Sequence, residues 1–260
     1  NHLVIRAGWS RSAEYANKSC GVSIMLCKRT FTVTDVKAID VGPLDLRGRV
    51  LAVRVKKGST LDITAINMYY PPRPSRTVDK KRWTDTIKAM NKWLVGVMDA
   101  ARERTTPILM CDLNDQFTAE HTPNNANDIT VGPCINKHHK SSGAATLLAK
   151  ILKRFDMSVL TTHRHLPPTY KGTRGTGSWI DHAAIPTALI SESKDYLKVF
   201  VSLVIPVQAT IHCIDHRPVA FLVPISLPVH RKEKAELRWD NRLIADAMSK
   251  GTNRSECLTD

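Results

Sequence analysis

Residues 107–111, PILMC, carry no charge and stop abruptly at Asp112, Leu113, Asn114 and Asp115. A short apolar run between a proline and a polar cluster reads as a buried strand, and a buried strand presupposes a sheet to pair with. If the chain stays extended past Cys111, Asp112 and Asn114 point to the same side, because side chains alternate along a strand. A carboxylate and an amide then share one mouth, which suits a site where one group takes a proton from water and the other holds an anionic oxygen. A strand followed by an ordinary Asn/Asp turn has the same letters. On this segment alone both readings stand.

The flanking chain supplies the sheet. The opening residues end a strand, and residues 20–26, 31–36, 50–55 and 61–69 read as further strands divided by Gly, Lys and Asp turns, which implies an antiparallel meander. Pro71, Pro72 and Pro74 stop the sheet, since proline has no donor for the ladder. A helix follows, capped by Thr77, in which Trp83, Ile87, Met90, Leu94, Val97 and Ala101 recur at steps of four and three and form one apolar stripe. Residues 116–143 are polar and too long for an ordinary connection, so they read as a functional or a mobile loop. A second helix is expected over residues 144–155, burying Leu147, Leu148, Ile151, Leu152 and Phe155, with short strands at 158–161, near Thr169, and at 178–185, 197–206 and 218–224. Past Pro228 the composition turns charged, so the expected division is a body of residues 1–227 and a partly helical tail or linker of residues 228–260.

Charge narrows the partners. Lys and Arg outnumber Asp and Glu by 38 to 24, a net charge of +14, which favours a polyanion, nucleic acid before an anionic membrane. The basic groups cluster at residues 73–82, 137–140 and 164–174. No apolar run is long enough for a membrane span, and the first eight residues lack the pattern of a secretory signal. The six cysteines, at 20, 27, 111, 134, 213 and 257, form no CxxC pair and read as reduced, in keeping with an intracellular protein. Cys134 with His138 and His139 lacks a second ligand pair at zinc-finger spacing and reads as loop.

Four strand ends offer polar groups that can converge on one rim: Asn67 with Tyr69, Asp112 with Asn114, Ser178 with Asp181, and Asp215 with His216. With Pro168–Tyr170 between them, they stand as NMYYP, CDLN, PTY, SWIDH and IDH. In that order they resemble the endonuclease/exonuclease/phosphatase family of metal-dependent phosphodiesterases, and within it the endonuclease domains of non-LTR retrotransposons. The resemblance spans about residues 3–225. It implies an α/β four-layer sandwich, two mixed, mainly antiparallel sheets face to face with helices outside.

The resemblance also implies roles. Asp112 aligns or deprotonates the attacking water, Asn114 holds the phosphate, Tyr69 supports the developing charge, and Asp181 orients His216, which touches a phosphate oxygen. Asp215 helps hold Mg²⁺ or Mn²⁺, and Asn67, Arg73, Tyr170, Lys171, Arg174 and Ser178 meet the nucleic acid. The expected substrate is DNA rather than RNA, nicked by a nuclear, retrotransposon-type polyprotein, with an organellar setting as the alternative. Cys111 and Ile214 stand where the family has glycine and serine. The family's asparagine strand and metal-binding glutamate belong upstream of Asn1 and have no counterpart in these residues, so a weak or absent metal site is expected here. Two further readings stay open. One is a catalytically degenerate member serving as a basic RNA-binding or scaffold component of a ribonucleoprotein, and the other is a phosphatase of the same fold. Each residue has a plainer reading as well: Tyr69 as a half-buried strand aromatic, Asp181 with His216 as a structural pair, and Asp215 as a turn cap.

Overall fold

The computed structural model describes residues 1–8, 21–102, 104–122, 129–135, 141–172, 177–199 and 216–224. The chain divides into two units, Asn1–Ile225 and Ser226–Asp260, and the described residues all lie in the first. In chain order its elements are β1 (His2–Gly8), β2 (Gly21–Cys27), β3 (Val36–Asp40), β4 (Val50–Lys57), β5 (Leu61–Tyr69), α1 (Thr77–Ala101), β6 (Thr106–Asp112), α2 (Ala144–Arg154), β7 (Met157–Val159), β8 (Tyr170–Lys171), β9 (Gly177–Ser178), β10 (Asp181–Pro186), α3 (Ile190–Ser193), β11 (Lys198–Val199) and β12 (Val219–Ala220).

Six strands form one mixed sheet in the order β3-β4-β5-β6-β10-β7. Its one parallel pair is β5 with β6. A parallel pair needs a crossover, and α1 provides it. Along the strands, burial alternates between two faces. Val50, Ala52, Ile66, Met68, Leu109 and Cys111 meet Ile87, Met90, Leu94 and Met98 of α1. Leu51, Val53, Val55 and Ala65 turn the other way, onto Ala7, Val22, Ile24 and Leu26 of the β1–β2 hairpin. Farther along that same face, Ile108, Ala183 and Ile185 pack with Leu189, Ile190, Leu197 and Val219. A period of two in the strands and 3.6 in the helix is what drives this layering. Each fully buried Leu or Met contributes about 1.5–3 kcal/mol.

The described residues thus form a mixed α/β architecture, with α1 and α2 on one face of the large sheet and the β1–β2 hairpin and the short α3 on the other. Among them no helix is long and apolar enough to cross a membrane.

Several expectations shift. Residues 31–36 are not a strand: Thr32 and Asp35 bond each other, the Thr32 N–H donating to Asp35 Oδ2 at 2.8 Å, which closes a turn over Val33–Asp35 and delays the strand to Val36. Nor do the described residues form one continuous meander, because β2 pairs with β1 in a separate two-stranded sheet while β3, β4 and β5 begin the large sheet. In α1 the cap position falls to Arg76, without a side-chain bond, and Thr77 is the first helical residue. The α2 stripe is rotated: Ala144, Ala145, Leu148 and Leu152 are buried, whereas Leu147 is 38% exposed. The strand expected at 178–185 breaks after Ser178 because the hydroxyl of Thr169 accepts from the N–H groups of Ile180 and Asp181, at 3.2 and 3.1 Å. The strand expected at 158–161 stops at Val159 and tightens into a turn over Leu160–Thr162. Most of 197–206 lies outside the described residues.

Candidate active site

The register of three neighbouring strands builds the site. Tyr69 of β5 stands beside Asp112 of β6, and Asp112 stands beside Asp181 of β10. Paired residues share a face, so the three side chains form one row at the C-terminal end of the parallel pair, spaced about 4.8 Å apart. The row lies on the face away from α1. Tyr70, one residue on, points into the opposite core: it is fully buried, its hydroxyl donates to Asn91 Oδ1 at 2.8 Å, and burial pushes its phenol well above the usual range. Alternation therefore decides which tyrosine of the pair belongs to the site. It also explains Cys111, which faces the helix-side core, away from Asp112, with its thiol pushed up by burial.

His216 closes the row from the far end of the chain. A bridge between Tyr170 and His216 and a bond from the Arg217 N–H to the Thr169 carbonyl at 2.6 Å place its backbone. The Tyr170 ring meets the imidazole edge-on at 5.1 Å between centroids. Nδ1 lies 3.0 Å from Asp181 Oδ2, and Nε2 lies 4.0 Å from Asp112 Oδ2, so the imidazole spans the two carboxylates. These three side chains retain 40%, 24% and 17% exposure for His216, Asp181 and Asp112, enough for solvent to reach them. They border an open cleft of about 580 Å³ that Asn67, Tyr69 and Ser23 also line. Asn67 ties the cleft to the hairpin by donating to the Ser23 carbonyl at 3.0 Å.

Asn114 takes a different position from the extended one. Its N–H donates to Asp112 Oδ1 at 3.0 Å and its backbone turns to φ 49°, a conformation asparagine tolerates. Its side-chain amide donates to the Tyr70 carbonyl at 2.7 Å, so it braces the end of β5 beside the row. Ser178 pairs with Tyr170 across β8 and β9, and Lys171 is exposed on the same ribbon. Arg73 is exposed after β5, where Trp83 Nε1 donates to the Pro71 carbonyl at 2.8 Å and anchors the chain leading into α1. Asp215 and Arg174 lie outside the described residues.

Three supporting residues have no role in the reading by motif. Thr169, the middle of PTY, is 1% exposed and fixes the start of β10, hence Asp181, through the two bonds given above. Asp115, 2% exposed, accepts from the N–H groups of Gln116, Ser142 and Ala145 and from the Ser141 hydroxyl, each at 2.9 Å. It caps α2 from 30 residues away, which no local spacing can announce. His182, beside Asp181, is buried with Nδ1 2.9 Å from Thr161 Oγ1 and its ring edge-on to Phe117 at 4.8 Å; burial lowers its pKa to about 4.

Asp112, Asp181 and His216 each offer a donor atom, and these atoms lie within 4.8 Å of one another. Two carboxylates and an imidazole fit a divalent cation, the carboxylates suiting Mg²⁺ or Mn²⁺. The same groups can orient a water and donate to an anionic oxygen, the requirements of hydrolysis at phosphorus.

No family model matches the sequence, and no curated protein does. An AP endonuclease from Archaeoglobus fulgidus superposes on the fold with a TM-score of 0.52 over 86% of this chain and 79% of that one, at 14% identity. The fold is that of the endonuclease/exonuclease/phosphatase proteins. Other solved structures with this fold align with lower scores. The endonuclease domain of TRAS1, a telomere-specific non-LTR retrotransposon, has a TM-score of 0.49 and 15% identity over 86% of this chain and 80% of that one. The 3'-5' exonuclease NExo from Neisseria meningitidis has 0.49 and 17% over 72% and 71%.

Proposed function

We propose that the chain is a metal-dependent phosphodiester hydrolase that nicks DNA. The observation that carries this reading is the row Tyr69–Asp112–Asp181 on adjacent strands with His216 lying across both carboxylates. Asp112 orients the attacking water and takes its proton. Asp181 holds His216 through Nδ1, leaving Nε2 to donate to a non-bridging phosphate oxygen, and the Tyr69 hydroxyl donates to the charge that builds on the opposite side. A divalent cation held by the carboxylates of Asp112 and Asp181, with Asp215 as a further ligand, supplies neutralisation of the phosphate oxygens when bound. Asn67, Arg73, Tyr170, Lys171, Arg174 and Ser178 are the contacts to the nucleic-acid backbone, consistent with the net charge of +14.

Relaxation of supercoiled plasmid in Mg²⁺ or Mn²⁺ tests this. Nicked product that falls about 10²–10⁴-fold in Asp112→Asn and His216→Ala supports it. No product above the level of those variants in either metal rejects it. Steeply salt-dependent binding with no cleavage would instead favour a basic nucleic-acid-binding role.

A further inference from the structure

The large sheet has a second charged end. The cleft lies where β5 finishes at Tyr69, whereas Lys57↔Leu61 closes the β4–β5 hairpin at the opposite end, about 27 Å away along the strand. Three segments of the chain bring cations there. β4 finishes in Lys56 and Lys57, the turn after β2 supplies Lys28 and Arg29, and Lys37 sits at the irregularity between Val36 and Ala38 where β3 meets β4. All five are exposed. Long-range bonds fix the cluster: Lys57 Nζ donates to the Thr30 carbonyl and lies 5.9 Å over the Phe31 ring, and Lys37 Nζ donates to the Thr34 carbonyl at 2.7 Å.

These segments carry two carboxylates, and both are engaged. Asp35 accepts from the Thr32 N–H and hydroxyl at 2.8 and 3.0 Å. Asp62 takes the Arg54 guanidinium through two bonds at 2.9 and 2.7 Å, with Lys56 3.8 Å away. Lys28, Arg29, Lys37 and Lys57 form no ion pair with a described residue. Clustered cations without counter-charges repel one another and raise the local potential, a cost that a polyanion removes. The exposed hydroxyls of Thr30, Ser59 and Thr60 stand among them, and phosphate oxygens accept from ammonium, guanidinium and hydroxyl alike. A membrane surface would call for apolar side chains to insert, and on these segments Val33 is the one large apolar residue exposed. Duplex DNA has a persistence length of about 150 bp, so a duplex seated in the cleft does not turn back to reach the far end of the strands.

We propose that this end of the sheet is a second nucleic-acid surface, where Lys28, Arg29, Lys37, Lys56 and Lys57 bind the phosphate backbone of a duplex other than the one in the cleft, so that one chain holds two segments at once. The occupancy of the cleft rests on the function proposed above, whereas binding at this end needs no catalysis.

The test counts duplexes. Short duplex DNA of about 12 bp, roughly 40 Å long, is titrated to saturation into the whole chain in EDTA, where no metal-dependent cleavage runs. Wild type is expected to take up two duplexes per chain, and the triple variant Lys28→Gln, Arg29→Gln, Lys57→Gln one. The binding event lost should carry a slope of about −3 in log affinity against log salt, from three phosphate contacts. Neutralising Lys88, Lys92 and Lys150, exposed on α1 and α2, removes the same charge and should leave two. A single duplex per wild-type chain, or an equal loss in this control, overturns the proposal. So does co-sedimentation with phosphatidylserine vesicles that the triple variant alone loses while its duplex count stays unchanged, which would make the surface one for membranes. Two duplexes on a protein that nicks nothing uphold the second surface and count against the functional reading alone; nicking by a protein that holds one duplex does the reverse.

Discussion

Acidification from about pH 8 to about pH 5 is expected to weaken the fold through His182. Its pKa is about 4 in the folded chain against 6.5 for a free histidine, and the leading cause is burial, which disfavours the imidazolium beside Phe117 and Thr161. The folded pKa lies below the unfolded one, so between the two the unfolded chain binds the extra proton and stability falls as pH drops. Well above 6.5 neither state is protonated and the contribution is flat. At about 1.4 kcal/mol per pH unit the full gap is worth ~3 kcal/mol, of which ~2 kcal/mol is already lost at pH 5. His121 and His163 are also lowered by burial and add to the slope in the same direction. The His182 share is isolated by urea unfolding at a series of pH values in wild type, His182→Asn and His182→Phe, compared as stability differences between the two ends of the range. Both variants are expected to lose ~2 kcal/mol less than wild type on acidification, whatever their stability at neutral pH. An unchanged pH slope in both variants, or a His182 ring proton titrating near 6.5 in the native protein, refutes the reasoning.

Asp115→Ala removes the acceptor for three bonds at the start of α2 and one from the Gln116 N–H, and is expected to destabilise by ~2–4 kcal/mol, read from the urea midpoint. Gly96→Ala is expected to stabilise by ~0.5–1 kcal/mol, since Gly96 sits inside α1 with open space where a Cβ would go. Thr169→Val leaves the N–H groups of Ile180 and Asp181 without their acceptor; thermal unfolding should record a loss of ~1–3 kcal/mol, and plasmid nicking should fall further than the stability loss explains.

The large sheet was largely legible because its strands obey alternation. Residues 50–55, 61–69 and 107–112 each show one face apolar toward α1, and α1 itself has the spacing that matches that face. What misled was local chemistry that competes with extension. Thr32 with Asp35 closes a turn where β-branched residues suggest a strand, and Asp112 with Asn114 closes another where an extended continuation was expected. The convergence of Asp112, Asp181 and His216 was readable as strand ends in sequence order, since each polar group follows or begins an apolar run. The bracing by Thr169 was not, because its placement depends on which strand lies next to which, and pairing between distant segments leaves no mark in the letters of either one.

The parallel pairing of β5 with β6 also bears on when the site can exist. The strand that carries Tyr69 pairs with β4 through a local hairpin, but Asp112 must wait for α1 to cross over, and Asp181 and His216 come from far later in the chain. Contacts of such long sequence separation are the slow ones to form, because the entropy of closing each loop is lost before the contact repays it. A nascent polypeptide emerging from the ribosome therefore carries no complete candidate site until nearly all of these strands have been synthesised and docked.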